Sequence, residues 1–126
     1  MRKRRILLVD DEVSITRGLA IYLTEVGDCD VLVENAGSRA VAAARHFRPD
    51  LIFLDIVMPD ADGGTLAAEI KGDPILQKTP IVFLTALVSQ HETHGQEKQI
   101  GGYPFLAKPV DPDTVLEYVD RFVVMN

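Results

Sequence analysis

Residues 6–14 read ILLVDDEVS, an apolar run that leads directly into three acidic residues. Four consecutive apolar residues are typical of a strand buried on both faces of a parallel sheet. The run ends at Asp10, Asp11 and Glu12, and the nearest basic residues are Arg5 and Arg17. Adjacent carboxylates repel each other unless a neighbouring group offsets their charge. The stretch therefore predicts a buried strand whose carboxyl end needs a compensating positive charge.

Similar apolar runs recur along the chain and alternate with helical patterns. The further runs are DVLVEN at 30–35, DLIFLD at 50–55, PIVFLT at 80–85 and YPFLAK at 103–108. Helices are predicted at 15–26 with a stop near Gly27, at 38–47 with Ser38 as cap, at 65–71, at 87–100, and after Asp111 and Pro112. Five βα units without a linker or repeat predict one domain over residues 1–126, a doubly wound α/β fold with a five-stranded parallel sheet and five helices.

Composition and charge narrow the class of protein. With 126 residues, 47% hydrophobic and 25% charged, the chain can bury the core of one domain. The net charge of −6 disfavours direct nucleic-acid binding, and no stretch is long enough to cross a membrane. The lone Cys29 is consistent with a cytoplasmic protein. The basic run at residues 2–5 is interpreted as a solvated lead-in to the first strand.

The predicted strands end in residues that carry chemistry. Asp10 and Asp11 end the first strand, Asp55 the third, Thr85 the fourth and Lys108 the fifth. In doubly wound sheets ligands bind outside the carboxyl ends of the strands, so these side chains should meet at one edge. Three carboxylates and one ammonium leave a formal charge of −2. Hard oxygen ligands in an open cluster suit Mg²⁺, and this predicts a metal site.

These motifs together resemble the receiver domain of bacterial two-component response regulators. The resemblance runs from ILLVDDE through PDLIFLDIVMPDADG and PIVFLTA to FLAKPV. It implies a flavodoxin-like strand order 2-1-3-4-5 and a phosphoryl group accepted on Asp55 from a sensor histidine kinase or a histidine phosphotransfer protein. It further implies a phosphoacceptor that catalyses only its own phosphorylation and dephosphorylation, with Mg²⁺ as cofactor and Mn²⁺ as a substitute. The metal ligands would be Asp10, Asp11, Asp55 and the backbone carbonyl of Val57.

The resemblance also assigns the switch. Thr85 would be the switch hydroxyl, Lys108 the lysine that pairs with the phosphoryl group, and Phe105 the aromatic switch residue. A cis peptide is expected between Lys108 and Pro109. Val57 and Leu87 match the two positions that modulate the lifetime of the phosphorylated state, and both are apolar, which predicts slow hydrolysis. The downstream effector is left unnamed, and a phosphorylation-linked dimer is left open.

Rival interpretations come from other classes. A phosphatase of the haloacid dehalogenase type needs a second aspartate two residues after the first, where this chain has Val57. A flavodoxin-like cofactor binder needs a glycine in the loop after the first strand, which VDDEVS lacks. A degenerate receiver that serves only as a protein-binding module would not need all five site residues. His91 and His94 lie one helical turn apart, but a solvated helix face explains them better than a metal site.

Overall fold

A computed structural model describes residues 2–86 and 99–124. The strands are β1 (Arg5–Val9), β2 (Asp30–Glu34), β3 (Leu51–Asp55), β4 (Val57–Met58), β5 (Ala61–Asp62), β6 (Ile81–Thr85), β7 (Gln99–Ile100) and β8 (Tyr103–Ala107). The α-helices are α1 (Val13–Glu25), α2 (Ala40–Phe47), α3 (Gly63–Gly72) and α4 (Pro112–Phe122), and a 3₁₀ turn covers Gly37–Arg39. No helix in the described part of the chain is long and apolar enough to span a membrane.

The main sheet has the order β2-β1-β3-β6-β8-β7. Its first five strands are parallel, so the predicted doubly wound fold and its order 2-1-3-4-5 are confirmed. The short β7 pairs antiparallel with β8 through the turn at Gly101 and Gly102, both at positive φ. This strand occupies the end of the segment for which a fourth helix was predicted, so that helix cannot extend to residue 100. The rest of that predicted helix, with His91 and His94, lies outside the described residues.

Strand alternation divides the core into two layers. Ile6 and Leu8 of β1 pack with α1 and α4, whereas Leu7 and Val9 pack with α2 and α3. All five residues of β3 and all five of β6 are buried, as expected for central parallel strands. The described helices therefore cover both faces of the sheet.

The helix ends follow the sequence in most places. Asp111 caps α4 by accepting a hydrogen bond from Asp113 N, with Pro112 in the first position, as predicted. The prediction that Ser38 caps the second helix is wrong, because its side chain makes no capping bond there. Instead the carboxylate of Asp60 accepts from the backbone N–H groups of Gly37 and Ser38, at 3.1 Å each. A residue 22 positions away in the chain thus supplies the cap.

The basic run at residues 2–5 is not merely solvated. Each of its members forms an ion pair with an acid from another segment, at the amino edge of the sheet. The pairs are Arg2–Asp50 (2.8 Å), Lys3–Asp28 (3.3 Å), Arg4–Asp120 (2.6 Å) and Arg5–Asp30 (3.9 Å). The interpretation as a solvated lead-in is corrected accordingly: the run connects the first strand to two loops, to β2 and to α4.

Candidate functional site

The carboxyl ends of four parallel strands form the site. Asp10 directly follows β1, Asp55 and Thr85 end β3 and β6, and Lys108 directly follows β8. Leu54 is the cross-strand neighbour of Val9, and Asp55 is that of Leu84, so the register brings these ends to one level. The topology therefore places these four residues along one edge of the sheet.

Three carboxylates gather at this edge. Asp10, Asp11 and Asp55 each offer an oxygen atom within 4.8 Å of the others. Asp10 is fully buried and Asp55 is 4% exposed, whereas Asp11 is open to solvent. Oδ1 of Asp10 accepts from the backbone N–H of Glu12 at 2.9 Å, and Oδ1 of Asp55 accepts from that of Val57 at 3.3 Å. These backbone bonds fix the direction of both buried carboxylates.

Lys108 provides the positive charge of the site. Its Nζ lies 2.9 Å from Asp10 Oδ2, 2.9 Å from Glu12 Oε1 and 3.5 Å from Asp55 Oδ2. Burial opposes the ammonium, but the carboxylates of Asp10 and Glu12 outweigh it and raise the pKa of Lys108 above its ordinary value. The backbone N–H of Lys108 donates to Thr85 O at 2.8 Å, and the predicted cis peptide before Pro109 is present.

Burial and the neighbouring carboxylate of Asp10 change the pKa of Asp55. Desolvation and then the charge of Asp10 raise its pKa from 3.8 to about 6, against the opposing effects of Lys108 and the Val57 N–H. Oδ2 of Asp10 is buried, and its 2.9 Å contact with Lys108 lacks the geometry of a hydrogen bond. A buried carboxylate oxygen without a hydrogen bond, beside two more carboxylates, is the donor set that a small divalent cation fits.

The site opens to solvent through a pocket of about 460 Å³. Asp11, Glu12, Asp55, Val57, Ala86 and Lys108 line it. Val57, one of these residues, is 61% exposed. Leu87, the second apolar residue expected to influence lifetime, lies outside the described residues. The pocket is therefore acidic on its walls, with the apolar Val57 among its lining residues.

The two residues that the resemblance assigns to the switch lie deeper. Thr85 is buried beside Ala107 of β8. Phe105 is 4% exposed and faces Phe83 across the strands, in the core layer of α2 and α3. Neither residue is among those that line the pocket in the described part of the chain.

A glycine sets how closely α3 approaches the site. A Cβ on Gly63 would lie 2.5 Å from Asp55 O and 2.6 Å from Ile56 Cα, distances that real side chains do not reach. Its backbone N–H donates to Ile56 O at 2.8 Å, and Asp62 caps the helix by accepting from Thr65 N. The first turn of α3 thus packs directly against the backbone of Asp55 and Ile56.

Sequence reasoning missed Glu12 as part of the site. Its carboxylate pairs with Lys108, 96 residues away along the chain. The only signal in the sequence is its position directly after Asp10 and Asp11, which also suits a residue at a helix start. Indeed Glu12 precedes the first residue of α1, without a capping bond from its side chain. Its partner became visible only with the fold.

Comparison with known proteins gives a consistent result. The family model described as "Response regulator receiver domain" matches residues 6–120. Response regulator Rre1 of Synechocystis is 35% identical over 108 residues, covering 86% of this chain and 46% of that protein. Response regulator PleD of Caulobacter vibrioides is 37% identical over 107 residues, covering 85% and 23%. The chain thus spans about half or less of the length of these curated relatives.

Solved structures agree with the sequence matches. The chemotaxis response regulator CheY4 of Vibrio cholerae has a TM-score of 0.80 at 30% identity, over 97% of this chain and 100% of that one. The BeF3-activated receiver domain of RstA from Klebsiella pneumoniae has a TM-score of 0.76 at 31% identity, over 94% and 97%. With the sheet order and the family match, these likenesses lead to one conclusion: the chain belongs to the response regulator receiver domain family.

Proposed function

We propose that this protein accepts a phosphoryl group on Asp55 from a phosphohistidine of a sensor histidine kinase or a histidine phosphotransfer protein. The observation that carries the proposal is the position of Asp55: a buried carboxylate next to Asp10, with the ammonium of Lys108 3.5 Å away. It opens on a pocket large enough for a phosphoryl group. The protein would act as a phosphoacceptor in a phosphorelay and not as an enzyme that turns over a separate substrate.

Asp10, Asp11 and Asp55 would hold Mg²⁺, together with the backbone carbonyl of Val57, and Mn²⁺ would be an acceptable substitute. The ion would supply positive charge for the oxygens of the transferring group. Asp10 and Asp11 offer oxygens within 4.8 Å of those of Asp55, which suits a shared ion. This cation would also offset the crowding that raises the pKa of Asp55.

The transfer step requires little chemistry from the protein beyond placement. A carboxylate oxygen of ionised Asp55 forms a bond to phosphorus, while the bond between phosphorus and the histidine nitrogen breaks. The electron pair of that bond stays on the imidazole nitrogen, so the products are an acyl phosphate on Asp55 and a free histidine. Lys108 would pair with a phosphoryl oxygen as negative charge accumulates there. Phosphoryl transfer depends mainly on such positioning and charge stabilisation.

Thr85 and Phe105 would transmit the effect of phosphorylation to the surface that an effector binds. An acyl phosphate carries more negative charge and more acceptor oxygens than the carboxylate that it replaces. Thr85 would donate to one of those oxygens, and Phe105, two residues before the neighbouring Ala107 in β8, would repack in response. The surface formed by the segment before β8, β8 itself and α4 would then change for an effector. Val57 and Leu87 would slow hydrolysis because neither side chain can orient a water molecule.

A groove next to the site suits the phosphodonor protein. It has a volume of about 480 Å³ and lies between α1 and the segment that follows Lys108. Ile15, Leu19, Ile21 and Val110 line it, and Ile21 is 53% exposed. Pro109 lines it as well and directly follows Lys108, which lines the acceptor pocket, so the two cavities lie on either side of this peptide bond. An apolar surface of a histidine-bearing donor seated there would lie beside Asp55.

The proposal is tested by incubation with acetyl phosphate and Mg²⁺, followed by intact-protein mass measurement. The wild type should gain one phosphoryl group, and Asp55→Asn should gain none. Asp28→Asn is the matched control, because it makes the same chemical change at the amino edge. Asp28 has φ 52°, a left-handed conformation that asparagine tolerates. Full labelling of Asp55→Asn would refute the assignment, and release of phosphate over many turnovers would favour a phosphatase.

A further inference from the structure

The carboxylate of Glu12 is a feature that phosphoacceptance on Asp55 does not explain. It lies 2.9 Å from Lys108 Nζ, as close as the buried carboxylate of Asp10. Its side chain is 52% exposed, whereas those of Lys108 and Asp55 are 10% and 6% exposed. Glu12 is outside the three-carboxylate cluster that suits a cation. It therefore contacts the phosphoryl-pairing ammonium from the solvent side, at the wall of the pocket.

The contact between Glu12 and Lys108 matters because it affects the net charge of the pocket. Asp10, Glu12 and Asp55 contact the ammonium of Lys108, and Asp11 lies beside Asp10 and Asp55, so these four carboxylates and one ammonium of the described residues give a formal charge of −3. A bound divalent cation would leave −1. The charge of Glu12 is thus what keeps the loaded pocket negative, and an arriving phosphodonor would meet it first.

We propose that Glu12 is a positioning residue that holds Lys108 and selects against small anionic phosphodonors in favour of phosphohistidine. The inference rests on the proposed phosphorylation of Asp55. Before transfer, Lys108 is shared between Glu12 and the buried acids. During transfer, Lys108 turns to the phosphoryl oxygens and its contact with Glu12 is lost. The carboxylate then faces the incoming phosphoryl group without its partner, and the two negative charges repel each other.

Phosphodonors differ in how strongly the carboxylate of Glu12 repels them, because they differ in charge. With acetyl phosphate, an oxygen of Asp55 bonds to phosphorus, the phosphorus–oxygen bond to the acetyl group breaks, and acetate leaves with the electron pair. Donor and leaving group are both anionic. With phosphoramidate or phosphohistidine, the phosphorus–nitrogen bond breaks instead, and its electron pair leaves on the nitrogen of ammonia or of the imidazole. A protonated nitrogen donor carries less net negative charge than acetyl phosphate. Glu12 should therefore slow acetyl phosphate more than it slows a nitrogen-linked donor.

The test compares phosphorylation rates with acetyl phosphate and with phosphoramidate in Mg²⁺, for wild type, Glu12→Gln, Glu12→Asp and Glu25→Gln. Glu12→Gln should accelerate labelling by acetyl phosphate on the order of five- to tenfold, and labelling by phosphoramidate much less. Glu12→Asp keeps the charge and should stay close to wild type. Glu25→Gln removes the same charge about 20 Å away, at the other end of α1, where screening makes its effect small.

A second measurement follows binding without transfer. Beryllofluoride, a phosphoryl analogue, should bind more tightly with Mg²⁺ to Glu12→Gln than to Glu25→Gln, as measured by calorimetry. The inference is overturned if the Glu12→Gln and Glu25→Gln proteins react and bind alike, or if Glu12→Asp is as fast as Glu12→Gln, because charge would then not be the cause. Absence of labelling in every protein, wild type included, would instead refute the proposed phosphorylation of Asp55.

Discussion

Replacing Asp55 with Asn should stabilise the protein when no divalent cation is present. The site places Asp55 beside the buried Asp10, and burial together with that charge raises the pKa of Asp55 from 3.8 to about 6. At neutral pH the carboxylate is therefore ionised at a free-energy cost that the folded protein bears and the unfolded chain does not. Asparagine has nearly the same shape without the charge, and it mimics the protonated acid.

The size of the effect follows from the pKa difference. A rise of about two pKa units corresponds to about 3 kcal/mol between the charged and neutral forms. The folded state binds the Asp55 proton more tightly than the unfolded state, so wild-type stability falls as pH rises from about 4 to about 6. Above this window Asp55→Asn should be more stable than wild type by about 3 kcal/mol, or by about 10 °C in Tm. Near pH 4 the difference should vanish.

Urea denaturation at pH 4, 6 and 8 in EDTA would measure this difference, with Asp28→Asn as the exposed control. Addition of Mg²⁺ should stabilise the wild type and leave Asp55→Asn almost unchanged, because the cation binds the ionised form. The reasoning fails if Asp55→Asn and Asp28→Asn shift stability equally at pH 8. It also fails if the advantage of Asp55→Asn is as large at pH 4 as at pH 8.

Four further outcomes are expected. Lys108→Met should slow labelling by acetyl phosphate on the order of a hundredfold, because the ammonium no longer stabilises the transferring group; a rate near wild type would contradict its role. Val57→Asn and Leu87→Glu should hasten phosphate loss from purified phosphoprotein in Mg²⁺, and unchanged lifetimes would show that water access is set elsewhere. Ile21→Glu should reduce transfer from a phosphohistidine protein about tenfold yet leave acetyl phosphate labelling intact, and equal loss with both donors would argue against the groove. Gly63→Ala should cost about 1–3 kcal/mol in urea denaturation, since its methyl group meets the backbone of the acceptor; wild-type stability would count against that close approach.

Most of the fold could be predicted from the sequence because it follows from local patterns of apolar and polar residues. Apolar runs such as LIFLD are buried at every position, as central parallel strands require. The acids, the hydroxyl and the lysine at the ends of those runs then had to meet, since parallel strands finish at one edge. For the same reason the sequence predicts that Asp10, Asp55 and Lys108 lie close together.

The features that could not be predicted from the sequence are contacts between residues far apart in the chain. Glu12 looks like an ordinary helix-start residue, and only the fold brings it to Lys108. Ser38 looks like a helix cap, yet Asp60 of a distant loop provides the carboxylate. Local patterns contain no information on which of many surface charges will face each other. Such contacts depend on loop paths, and these follow from the whole topology.

The ion pairs at the amino edge of the sheet have a consequence for the distribution of charge. Residues 2–5 are four of the 13 basic residues and pair with four of the 19 acids, so these eight charges cancel and the net charge of −6 belongs to the other residues. The carboxylate cluster of the site lies at the opposite edge of the sheet, so counterions should be denser there than around the paired residues. Monovalent salt at 0.1 M would screen the charge of the acidic face beyond a distance of about 10 Å. Background electrolyte would therefore compete with divalent ions for the acidic face even without entering the pocket.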